Sequence, residues 1–318
     1  MKRISRLGSG DGQLLRRWAR AALLLLAAAL PLGVQDPYLL DLAVTALIYM
    51  TVAVGLNVVV GYAGLLDLGH AAYFAIGAYT AALLTQRAGL SFSLALPASG
   101  VVAMALGSLI GLLVLRLRHD YLAIVTLGFG EITRTTAANL DVTGGPSGIF
   151  GLAPPSLFGL RLERAVHYYY TTLVLLVIAA GCAARLRESR IGRAWAFLRE
   201  DEEAAEAMGI HTLSYRLLAY QIGTFCAGVA GAVFAMKMTA VSPASFSFMR
   251  SVLFLLAVIV GGAGSVPGAL LGGALVTVLP ELLRPVAGFR YLIFGAALVL
   301  LMLFRPAGLW PPRRSAEE

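Results

Sequence analysis

The chain has 318 residues, of which 59% are hydrophobic and 13% charged, with a formal net charge of +8 and a mean hydropathy of +0.81. A water-soluble globule of this length needs far more polar surface, so the soluble classes are excluded and a multi-span α-helical membrane protein is implied. The positive balance fits Lys and Arg gathered on cytoplasmic loops better than a nucleic-acid surface, and the 35 glycines fit helices that approach closely in lipid.

In chain order, residues 1–20 form a basic segment, followed by the short apolar core "AALLLLAAALPLG". No small-x-small cleavage site follows, so this reads as a first span that also serves as targeting signal. Apolar runs predict spans near 18–34, 38–60, 68–86, 92–115, 121–140, 167–184, 217–238, 250–263, 267–284 and 288–304. The expected fold is thus an all-α polytopic bundle of about ten transmembrane helices, eight at the fewest, some broken by glycine. Residues 21–310 make one membrane domain. The basic segments at the amino terminus, 116–120, 185–193 and Arg313–Arg314 fall on one side, which the positive-inside rule makes cytoplasmic. Both termini, the 311–318 tail and the 185–216 loop are therefore expected on the cytoplasmic side. The Pro/Gly-rich loop 141–166 is expected in the periplasm, irregular or partly re-entrant, with Gly144, Gly145 and Gly148 as candidate gate positions.

Two segments are alike: "VVVGYAG" (Val58–Gly64) and "VIVGGAG" (Val258–Gly264). Each ends an apolar run and precedes another, and paired glycine interruptions in two halves of a chain point to a transport path. Gly61, Gly64, Asp67, Gly69 and His70, with Gly261, Gly262 and Gly264, are the candidate path positions; tight packing through small residues is the competing reading. Ionisable groups also occur inside spans: Asp67 three residues before His70, Glu131 before Arg134, Lys237, and Glu281 before Arg284. The last two i,i+3 pairs suit self-compensated pairs that snorkel to the interface. There is no GxxxxGK[ST], HExxH or GxSxG, and the four histidines have no ligand spacing. No catalytic residue, cofactor or metal site is expected, and no nucleic-acid partner.

The 185–216 loop differs from the rest in being dense with charge. From Arg193 to Met208 the sequence suits a single amphipathic helix, with Trp195, Leu198, Ala205 and Met208 on one side and Arg199 four before Glu203. Gly209 and Ile210 suit a Schellman stop at positive φ. Five carboxylates between 200 and 206 would be repelled by an anionic leaflet, so the helix reads as built for a protein partner.

"EAAEAMG" (Glu203–Gly209) resembles the loop by which permeases of ABC importers dock into a cytoplasmic ATPase. With "NVVVGYAGLLDLGHAAYFAIGAY", "YLAIVTLGFGEITRTTAANLDVTGGPSGI", "GGAGSVPGALLGGA" and "FRPAGLW", the chain resembles the M-type permease of branched-chain amino acid importers from about Leu47 to Trp310. Asp67 departs from the Ser expected in that pattern. The resemblance implies half of a heterodimeric pore for Leu, Ile and Val that catalyses no chemistry itself. It further implies a sister permease subunit, two ATPase subunits and a periplasmic binding protein as partners, with Glu203, Ala204, Ala205 and Gly209 as ATPase-coupling residues. The alternatives are a urea or short-amide permease of the same architecture and, from another class, an ion-driven transporter or channel.

Overall fold

A computed structural model describes residues 25, 27–31, 33, 36–115, 119–157, 159–284 and 289–312. The basic segment 1–20, the first part of the expected 18–34 span, residues 116–118 and the tail from 313 onward lie outside them. Within them the chain is an all-α bundle: α1 (Pro37–Leu56), α2 (His70–Gln86), α3 (Phe92–Val114), α4 (His119–Asn139), α5 (Ala165–Glu188), α6 (Arg190–Glu200), α7 (Glu202–Ala207), α8 (Thr212–Met238), α9 (Phe248–Gly261), α10 (Val266–Leu282) and α11 (Arg290–Phe304). Nine of the expected spans coincide with α1–α5 and α8–α11. Among the described residues five segments are long and apolar enough to cross a membrane unaided: Pro37–Tyr62, Phe92–Val114, Ala165–Glu188, Thr212–Met238 and Pro243–Gly261.

Helix starts follow local chemistry. Asp36 caps α1, its carboxylate accepting from the Tyr38 amide at 2.9 Å, with Pro37 supplying a preset φ in the first turn. Ser265 caps α10 in the same way, accepting from the Gly268 amide at 3.2 Å, with Pro267 in the first turn. The last turn of α1 widens into a π-helix, Asn57–Tyr62, a rare geometry that often marks a functional position.

Helix α8 is the axis of the bundle. It packs along both α2 and α3, and α1 lies against α8, α5 and α10. Its run "GTFCAGVAGAVFA" lets neighbours approach to backbone contact: a Cβ on Gly77 of α2 would overlap the Gly228 carbonyl, and one on Gly231 would overlap the Phe74 carbonyl. In lipid this close van der Waals packing replaces the hydrophobic drive available in water. Phe74, Phe234, Phe246 and Phe254 fill the space beside it with ring centroids 5.2–6.3 Å apart. The outer faces of α3, α5 and α11 leave Leu109, Leu113, Val174, Ile178 and Leu303 exposed, as lipid-facing or partner-facing helices do.

The two ends differ. One carries the charged 185–216 loop, with Arg185, Arg187, Arg190, Arg193 and Arg199, together with Arg305, and is called the arginine-rich end; Arg87, Arg161, Arg164 and Arg284 lie at the opposite end. At the other, the 141–166 loop is irregular, as expected, and held by short antiparallel strands: β1 (Ile149–Phe150) with β4 (Ala240–Val241), and β2 (Ser156–Leu157) with β3 (Leu160–Arg161). There Lys237 pairs with Asp41 at 2.9 Å and Thr45 at 2.6 Å, and Arg284 pairs with Glu281 at 3.2 Å and Tyr38 at 3.0 Å.

Candidate coupling and pathway site

The charged loop does not form the single Arg193–Met208 helix that its periodicity suggests. It breaks at Asp201, whose backbone is extended (φ −153°) and whose carboxylate accepts from the Ala204 amide at 3.0 Å. Asp201 thereby caps a second helix, and a short polar side chain that can serve a helix start outcompetes continuation. Arg199 and Glu203 consequently fall on different helices and do not pair.

The apolar side of the loop also faces inward instead of outward. Trp195, Leu198 and Ala205 are buried against the chain's own bundle, and Met208 alone of the four is open, at 72%. The Trp195 indole donates to the Tyr215 carbonyl at 2.7 Å and stacks on Tyr62 at 6.2 Å. Buried Arg216 on α8 pairs with Glu202 at 2.5 Å, and Thr212 donates to Glu206 at 2.8 Å. The exposed residues from Arg193 to Gly209 are Arg193, Ala196, Phe197, Arg199, Glu200, Asp201, Glu203, Ala204, Glu206, Ala207, Met208 and Gly209.

The expected stop is present. The Ile210 amide reaches the Ala205 carbonyl at 3.1 Å and the Gly209 amide reaches Glu206 at 2.9 Å, the two bonds of a Schellman motif. Gly209 has φ +84° and projects into open space.

The two matched glycine segments meet at the arginine-rich end. A Cβ on Gly61 would overlap the Gly264 amide, whose N–H donates to the buried Asn57 Oδ1 at 2.7 Å. Gly64 and Gly264 both have positive φ, +72° and +90°. The Arg199 guanidinium closes the joint: its Nη1 donates to the Gly61 carbonyl at 2.7 Å, and its side chain lies 3.0 Å from where a Gly64 Cβ would sit. Opening the helix end exposes that carbonyl, and a cation from the loop satisfies it. Gly261 and Gly262 are covered from outside, where the Leu309 and Trp310 amides donate to the Val260 and Gly261 carbonyls at 2.8 and 2.9 Å.

Asp67, Gly69 and His70 lie one step deeper, fully enclosed. Asp67 accepts from the Gly69 amide and from His70 Nδ1, both at 2.8 Å, and no described group reaches His70 Nε2. Gly69 packs on the backbone of α4 at Thr126, whose hydroxyl accepts from the Leu68 amide at 3.0 Å. All eight path candidates are in close contact with other described residues of this chain. At the opposite end Gly144, Gly145 and Gly148 have φ of +80°, +61° and +86°, and a Cβ on Gly148 would overlap the Val241 carbonyl. Their freedom is used to seat the loop on the strand after α8, far from the other candidates in the bundle.

Three contributors escaped sequence reasoning. Arg199 and Trp195 looked like faces of an amphipathic helix, and nothing in the order of residues says that their targets are Gly61 and Tyr215. Asn57 carried a usable signal, a lone amide in an apolar run just before the first glycine break.

Over residues 38–304 the chain matches the family described as branched-chain amino acid transport system / permease component. It is 42% identical over 317 residues to the high-affinity branched-chain amino acid transport system permease protein LivM of Escherichia coli (strain K12), with 92% of this chain and 74% of that protein covered. It is 28% identical over 281 residues to the permease protein BraD of the like-named system in Pseudomonas aeruginosa, covering 82% and 91%. With the permease protein LivH of Escherichia coli (strain K12) it shares 26% over 286 residues, covering 82% and 90%. No solved structure matches the chain.

Proposed function

The chain belongs to the branched-chain amino acid transport permease family, and from that premise we propose that it is the M-type pore subunit of an ATP-driven importer of leucine, isoleucine and valine. It sits in a bacterial inner membrane, pairs with a sister permease, and receives substrate from a periplasmic binding protein. Two ATPase subunits on the cytoplasmic side supply the energy. The arginine-rich end is the cytoplasmic one, with both termini and 185–216 on that side and 141–166 on the other, because short basic loops stay inside.

The observation that carries this reading is the two-sided build of the α6–α7 segment. Its inner side is tied to the bundle through Trp195, Arg199, Glu202 and Ala205. Its outer side offers Glu203, Ala204, Met208 and the Gly209 turn to water. A partner that grips this outer side and moves as a rigid body shifts Arg199, and with it Gly61, Gly64 and Gly264, where the two broken segments touch. Glu203 and Ala204 are the docking residues, Ala205 anchors the turn from within, and Gly209 sets its direction. The path candidates from Gly61 to His70 and Gly261 to Gly264 act as the joint that transmits this shift to the pathway.

Vesicles holding this chain with its sister permease and ATPase subunits, supplied with binding protein, test the reading. ATP-dependent uptake of labelled leucine, competed by isoleucine and valine and unaffected by urea, is expected. Competition by urea would move the chain to the amide branch, and uptake without ATPase subunits would make it an ion-driven carrier or channel. A cysteine at Ser189 is expected to resist an impermeant reagent added from the periplasmic side.

A further inference from the structure

Helix α4 is the odd member of the bundle. It is 21 residues long, yet it is not among the segments apolar enough to cross a membrane unaided. Its sequence "TLGFGEITRTTAAN" places Glu131 and Arg134 about 18 and 22 Å from the helix start at 1.5 Å per residue, within the span and short of its end. The two form an ion pair, Arg134 Nε to Glu131 Oε2 at 2.8 Å, with side chains 37% and 40% exposed. Among the described residues that Nε contact is the one side-chain hydrogen bond that either group makes. Both Nη groups of Arg134 and Oε1 of Glu131 are left open. Thr135 and Thr136 beside them are exposed as well.

Charged groups at this depth face a bundle interior or a water-filled path, because hydrocarbon satisfies none of their hydrogen bonds. A pair that existed to cancel itself in lipid would use the whole guanidinium fork on the carboxylate; this one uses a single edge. Through Thr126 and Gly130, α4 also lies against the Gly61–Gly69 break, so the helix is mechanically joined to the part of the chain that Arg199 reaches.

We propose that Glu131 and Arg134 form a station of the transport path that recognises the zwitterionic head of an α-amino acid. This rests on the substrate reading above. An α-amino acid carries its ammonium and carboxylate on one carbon, so their partners must be opposite in charge and adjacent. An i,i+3 Glu–Arg pair on one helix face meets that demand. Glu131 Oε1 accepts from the ammonium, the free Nη groups of Arg134 donate to the carboxylate, and the Nε–Oε2 contact holds the two in register. Urea and short amides lack both charges.

The test uses the whole importer in vesicles with binding protein and labelled leucine. The double variant Glu131→Gln with Arg134→Met removes both charges and keeps the side-chain volumes. The complex is expected to assemble, and to keep ATP hydrolysis stimulated by loaded binding protein, while leucine uptake falls about tenfold or more, as for loss of a charged contact. Uptake close to that of the unmodified complex would overturn the proposal, because a pair needed only to neutralise itself is dispensable once both charges are gone. If the double variant fails to assemble, Thr135→Cys in a Cys182→Ser background leaves both charges in place. A water-soluble thiosulfonate should then modify Cys at 135, and saturating leucine should slow the reaction severalfold. An unreactive thiol, covered by lipid or by the sister subunit, or one indifferent to leucine, would overturn the proposal. Absence of leucine uptake by the unmodified importer would instead fail the substrate reading and this inference with it.

Discussion

Glycine serves two different purposes at two places in this molecule. Where α2 crosses α8, Gly77 and Gly228 are there for space: the helices touch backbone to backbone, and a methyl group on Gly77 would overlap a carbonyl oxygen. At the end of α7, Gly209 is there for torsion: its φ is +84°, and nothing lies within 4 Å of where a Cβ would be. The first kind cannot be changed without separating two helices. The second can be changed without displacing any neighbour, and what it alters is the aim of an exposed turn. The interior of the bundle is therefore the part that must hold, and the arginine-rich end is the part that can be re-aimed while the bundle holds.

This contrast predicts a graded series. The largest effect belongs to Gly77→Leu, which drives a branched side chain into the α8 backbone. Overpacking of a tight interior costs about 1–3 kcal/mol and more where the obstacle is backbone. The variant should lose most of its monodisperse protein after detergent extraction, and normal recovery would show that the crossing can spread. Next is Asn57→Leu, which strands the buried Gly264 amide at a cost of about 1–3 kcal/mol. Its thermal midpoint should fall, and uptake should fall with it, because the two broken segments lose their bond. Smaller again is Arg199→Ala. The side chain is exposed at one end of its bond to Gly61, so about 1 kcal/mol is expected at most. Folded yield should stay near normal while leucine moved per ATP hydrolysed declines; an unchanged ratio would remove Arg199 from the coupling route. Smallest is Gly209→Asn, since Asn tolerates the left-handed region and is an accepted residue after a helix. Uptake should stay near that of the unmodified chain.

Much of the architecture was legible in the residues because lipid imposes simple demands. Length and hydropathy alone placed α1–α5 and α8–α11, and "AMGI" announced its Schellman stop in full, since both the torsion and its hydrogen bonds are local. The same locality explains the failures. Periodicity over Arg193–Met208 cannot see that Asp201 finds the Ala204 amide and starts a second helix. Amphipathicity shows that Trp195, Leu198 and Ala205 share a face, yet it does not say whether that face belongs to this bundle or to a partner. The meeting of Gly61 with Gly264 joins residues some 200 positions apart, and similarity between the two segments hinted at a relation without giving a contact. Glu131 and Arg134 were readable as an i,i+3 pair, whereas their exposure, on which the proposed station rests, exists only in three dimensions.

The central claim is that the α6–α7 segment carries energy from another chain into this one, and Gly209→Val tests it most directly. A β-branched residue at φ +84° costs on the order of 1–2 kcal/mol and turns the chain elsewhere, without touching the bundle. In vesicles with binding protein and ATPase subunits, the variant should insert and fold in normal amount, bind the ATPase weakly, and show neither leucine-stimulated ATP hydrolysis nor uptake. Normal stimulated hydrolysis together with normal uptake would contradict the account and leave the segment as surface structure with no part in transport.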